Sequence, residues 1–153
     1  MEPINPLAAQ AVEELLEYEP DQLFAELEIR RRAILDHPAQ AGSFAPAGTH
    51  RSVVSDSLDE LREFGRRFFA RVSRDAHALV CGRDPENSQV RQDLLKALTS
   101  RATFAAALSA ALVAYAGLAP ALAAVAATLV ARLFVNNAHE VMCEMWTERL
   151  QNG

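Results

Sequence analysis

Apolar positions along this chain recur at helical spacing almost from end to end, and no stretch alternates as a half-buried strand does. Asn5-Pro6 pairs a capping residue with a first-turn proline and predicts a short helix to about Tyr18, with Val12, Leu15 and Leu16 on one side. Pro20 ends that helix and allows another over Asp21–Asp36, where Leu23, Phe24, Leu27, Ile34 and Leu35 keep the period. The pattern lapses from His37 to Val54, where prolines and glycines predict a long loop or hinge. Ser57-Leu58-Asp59-Glu60 then matches a capping box, and Leu58, Leu61, Phe68, Val72, Ala76 and Leu79 form the stripe behind it, with Gly82 as the stop. Asp84-Pro85 restarts a helix carrying Val90, Leu94, Leu95 and Leu98 to Thr99. Ser100 caps an alanine-rich helix that runs to Ala116 and stops at Gly117, and Pro120 opens a last helix continuous to about Leu150. The expectation is an all-α bundle of about six helices around a buried alanine-rich hairpin. It divides into an acidic helical module over 1–38, a hinge over 39–54 and a bundle domain over 55–153.

Residues 102–131 carry no charge, and about half of them are alanine. Alanine offers far less apolar area than leucine at ~25 cal/mol per Å², so the stretch is a weak membrane anchor. Each arm also covers only roughly 18 to 24 Å, short of the ~30 Å hydrocarbon core. A buried hairpin is the stronger reading, and insertion into an inner or plasma membrane is the alternative. Ala106, Ala110 and Ala114 on one arm and Ala123, Ala127 and Ala131 on the other make small-residue faces that suit close packing in either setting. The arrangement is similar to the soluble bundles of pore-forming colicins and Bcl-2-type proteins, a likeness of architecture without a residue motif.

Charge is unevenly distributed over a net of −5. Glu2, Glu13, Glu14, Glu17, Glu19, Asp21, Glu26, Glu28 and Asp36 crowd the first helices, opposed there by Arg30, Arg31 and Arg32. Arg62, Arg66, Arg67, Arg71 and Arg74 give the capping-box helix a basic outer surface. That surface suits an acidic partner, anionic lipid or the chain's own acidic segment, and without interleaved aromatics or a recognition motif it does not favour nucleic acid.

Both cysteines follow a histidine by four: His77 and Cys81, His139 and Cys143. Two such pairs could build a four-ligand zinc site between helices, but each lies on an arginine-flanked shoulder that disfavours a cation. The preferred reading is a pair of free thiols in a reducing, cytoplasmic setting, with no disulfide and no cofactor. Nucleophile elbows, phosphate loops, dinucleotide fingerprints and zincin motifs are all missing, which argues against an enzyme of those classes.

On the last helix Phe134, Val135, Ala138, Val141, Met142, Met145 and Trp146 continue the apolar face well past the hairpin. Either they pack on the capping-box helix or they form a partner surface, for which Phe134, Met142, Met145 and Trp146 are the candidate contacts. The function expected is that of a non-enzymatic helical interaction or regulatory domain acting through helix faces on a protein partner or a second copy of itself. The rival readings are a membrane-active protein that inserts residues 102–131, and a metal protein or enzyme using the His/Cys pairs.

Overall fold

A computed structural model describes residues 6–45, 58–135 and 139–152, and among them every regular element is helical. The order is α1 (Pro6–Leu15), α2 (Pro20–Asp36), α3 (Leu58–Cys81), α4 (Ser88–Lys96), α5 (Arg101–Ala116), α6 (Pro120–Phe134) and α7 (His139–Asn152), with short 3₁₀ turns at Pro38–Gly42 and Pro85–Asn87. The all-α bundle around an alanine-rich hairpin is what the periodicity predicts. The cap residues Asn5 and Ser57 lie outside the described residues.

The hairpin is the centre of the bundle. Ser100 caps α5 through its side chain, which accepts from the Thr103 amide at 3.0 Å. Gly117 ends the helix at φ 67°, a left-handed conformation costly to any residue with a Cβ. The Leu118 amide then reaches back to the Leu112 carbonyl at 3.2 Å. From Ala121 to Ala131 every residue of α6 is buried, because helices α1, α2, α3 and α5 all contact it. Its alanines permit that crowding: Ala123, Ala127 and Ala131 are fully enclosed. The matching α5 face is used only in part, since Ala106 is buried whereas Ala110 and Ala114 are exposed. No helix among the described residues is long and apolar enough to cross a membrane.

Helices α1 and α2 share the core of the hairpin. Leu15, Leu23, Phe24 and Leu27 belong to the same buried cluster as Leu108, Leu112, Val125 and Leu129. α2 and α3 approach closely in this layer, where a Cβ added to Gly65 would lie 1.8 Å from the Phe24 carbonyl oxygen. Gly65 therefore centres the buried side of α3. That side is turned from the predicted stripe: Leu61, Phe69, Val72, Ala76, Leu79 and Val80 are enclosed, Phe68 is half-buried and Leu58 is exposed. Buried Arg30 adds a polar tie, bonding Glu26 at 2.8 Å, the Phe44 carbonyl at 2.8 Å and the Ala121 carbonyl at 3.0 Å. The acidic start of α2 also meets the arginine helix directly, with Asp21 3.5 Å from Arg62 and 3.2 Å from Arg66. Each of these exposed pairs is worth less than about 1 kcal/mol.

Two expectations fail at the C-terminal end. The last helix is not continuous to Leu150: α6 closes at Phe134, and Val135 leaves the helical region at φ −86°, ψ 74°. After positions 136–138, which lie outside the described residues, α7 packs on α3. The break lets the Trp146 ring stack on Phe134, with centroids 5.0 Å apart and planes 13° from parallel. The cysteines are also not free thiols, because Cys81 and Cys143 form a disulfide with Cα atoms 5.8 Å apart. Their proximity follows from the same break, which carries α7 back over the end of α3. Spacing within a single helix holds no sign of it.

Candidate functional site: an arginine-bordered cleft

Four helices leave a cavity of about 290 Å³ where α2, α3, α6 and α7 meet. The residues that line it come from both surfaces singled out in the sequence: Arg66 and Arg74 from the arginine helix, and Phe134 and Trp146 from the apolar run. Tertiary contact alone joins them. α3 supplies Phe69, Ala70 and Ser73 as well, α2 supplies Phe24, and α7 adds Arg149 and Leu150. The walls are therefore aromatic and aliphatic, the border is cationic, and none of the lining residues is acidic.

The floor is rigid. Trp146 is fully buried, and its Nε1–H donates to Ser73 Oγ at 2.7 Å. His77 meets the indole edge-on at 5.3 Å. Phe24 and Phe69 make a second edge-to-face pair at 5.6 Å. Such ring pairs favour fixed orientations beyond their area burial.

The arginines divide by partner. Arg62 bonds Asp59 and approaches Asp21 at 3.5 Å. Arg66 lies over the Phe24 ring at 5.3 Å and is held by Asp21 at 3.2 Å, with Glu63 at 3.9 Å. Arg67 pairs with Glu63 at 3.2 Å and lies near the Phe64 ring. Arg71 lies over Phe68 at 5.9 Å. Arg74 and Arg149, both exposed at the cavity border, are held by no ion pair among the described residues. The arginines of this face without an ion pair among the described residues are thus Arg71, which covers Phe68, and Arg74 and Arg149 at the cavity mouth.

The remaining candidates separate. Met142 is fully buried and acts as core, whereas Met145 is exposed. The zinc candidates do not assemble: Cys81 and Cys143 are bonded to each other, which uses both thiolates. Among the described residues no group of three or more His, Cys, Asp or Glu side chains stands close enough to hold a metal ion. His139 opens α7, but its side chain lies outside the described residues. His77 instead reaches Thr147 Oγ1 at 3.0 Å. The Thr147 hydroxyl donates to the Cys143 carbonyl at 2.8 Å, so the imidazole Nε2–H donates to Thr147. Partial burial holds the His77 pKa below its ordinary value of 6.5.

Arg149, Ser73 and Phe24 escaped the sequence reading of the site. Arg149 lies in the last turn of α7, where a basic residue suits the helix dipole, and nothing in the sequence separates that role from a site. No family model, curated protein or solved structure matches this chain.

Proposed function

We propose that this protein is a non-enzymatic interaction domain that recognises an acidic protein partner through the outer face of α3 beside the C-terminal turn of α7. The observation that carries this reading is the cationic strip formed by Arg67, Arg71, Arg74 and Arg149, in which Arg71, Arg74 and Arg149 have no ion pair among the described residues, on a chain of net charge −5. Arginine is suited to such a surface, because its planar fork binds carboxylates in pairs. A second copy is the poorer occupant: two like-charged strips brought together about a two-fold axis repel.

The Cys81–Cys143 bond fits an oxidising setting better than the reducing cytosol that two free thiols would suit. The hairpin supports a packed-core role, since α1, α2 and α3 cover it.

The test is an NMR titration with a synthetic helical peptide bearing glutamates on one face and leucines on the other. Shifts confined to α3 and the end of α7, lost as salt rises and reduced about tenfold in affinity by Arg67→Ala with Arg71→Ala, support the reading. An absence of shifts, or shifts centred on α1 or α4, refutes it.

A further inference from the structure

We infer that the cavity under the arginine border binds a small amphipathic carboxylate, whose apolar body fills the aromatic floor while its carboxylate meets Arg74 and Arg149. This goes beyond the acidic-partner reading, which uses the outer surface of α3 and the end of α7 and places nothing inside the cavity.

Chemistry selects the ligand. Leu150, Ala70 and the edges of Phe24 and Phe69 offer apolar surface to a hydrocarbon body, with Phe134 and Trp146 packed directly beneath them. A cation is repelled at the mouth, where Arg66, Arg74 and Arg149 stand and no lining residue is acidic. A neutral apolar molecule would strip water from guanidinium groups without replacing its hydrogen bonds. Inorganic anions would meet the arginines but leave the aromatic floor empty. An acid with a hydrocarbon body satisfies both parts, because a carboxylate accepts the two parallel bonds of a guanidinium fork.

Two details narrow the fit. Arg66 already shares its charge with Asp21 at 3.2 Å, so the ligand's charge falls to Arg74 and Arg149. Buried Ser73 accepts the Trp146 Nε1–H through its oxygen, which leaves its own hydroxyl hydrogen to donate to a ligand oxygen. The volume of about 290 Å³ stands at the small end of ligand pockets, which run from roughly 300 to 1,000 Å³. That size suits a medium-length acyl chain.

The single tryptophan of the chain forms part of the floor, so its fluorescence reports occupancy. The intact, oxidised protein is titrated with decanoate, decanol and decyltrimethylammonium, each below its aggregation concentration. Saturable decanoate binding, at least about tenfold tighter than decanol and weakened by salt, is the expected result. Arg74→Ala with Arg149→Ala should weaken decanoate about tenfold and leave decanol unchanged, Ala70→Leu should weaken both by filling the mouth, and Arg83→Ala should behave as wild type. Decanol binding as tightly as decanoate, a double variant that retains decanoate affinity, or no saturable binding overturns the inference. Peptide binding without decanoate binding refutes the cavity site alone. Decanoate binding in a protein that ignores the acidic peptide refutes only the partner reading.

Discussion

Trp146 donates its indole N–H to Ser73 Oγ at 2.7 Å across 73 positions of sequence, and both partners are buried. This bond fixes α7 on α3 and shapes the cavity floor. A buried donor left without its acceptor costs about 1–3 kcal/mol. Ser73→Ala should therefore destabilise the protein by about that amount in urea unfolding. Combined with Trp146→Phe, it should cost less than the sum of the two single changes, and strict additivity would show that the bond contributes nothing.

Opening the Cys81–Cys143 bond should loosen α7 specifically. The bond closes a loop of 62 positions, for which the chain-entropy relation gives about 4 kcal/mol of stability. Cys81→Ser with Cys143→Ser should lower the unfolding midpoint by that order and red-shift Trp146 emission well before the hairpin helices melt. An unchanged midpoint and spectrum would mean that packing alone seats α7.

Acid should weaken the same contact. The folded-state pKa of His77 is below its ordinary 6.5, so the unfolded chain binds the proton more readily. The contribution of neutral His77 is fully present above about pH 6.5 and declines as pH falls through the folded value. Urea midpoints measured from pH 7.5 to 5 should drop, and His77→Gln should flatten that drop. A slope identical in the variant would assign the effect to other groups.

Gly65→Ala should be severe although alanine is the better helix former by about 1 kcal/mol. The new Cβ would stand 1.8 Å from the Phe24 carbonyl oxygen, so α2 and α3 must separate. Such overpacking costs typically about 1–3 kcal/mol and occasionally more. A thermal midpoint equal to or above wild type would show that the helices are free to shift.

Deleting residues 1–38 should leave a molten remainder. Leu15, Leu23, Phe24 and Leu27 are nearly or fully buried against the hairpin and α3, and their loss exposes α6, which is apolar around its circumference. A truncated protein with dispersed amide resonances and a cooperative melt would establish an independent 55–153 domain.

What the sequence determined alone is local. Pro20, Pro85 and Pro120 at helix starts, Ser100 as a side-chain cap and Gly117 in the left-handed turn depend on neighbouring backbone atoms, so these boundaries follow from them, whereas the break between α6 and α7 does not. The uncharged, alanine-rich stretch likewise specified a tightly packed centre over its second arm, 121–131, because helices can approach alanine from every side. The tertiary structure decided the rest. The direction α7 takes after Val135 depends on which surface Trp146 can bury itself against, and that surface, Phe134 with Ser73, exists only once α3 and α6 are packed. The disulfide and the cavity that unites Arg74 with Arg149 follow from that docking, and the α2–α3 contact at Gly65 is a tertiary choice of its own. Helical periodicity states which residues share a face. It carries no information about which face of another helix they will meet, because that choice is made by summed packing over residues distant in sequence.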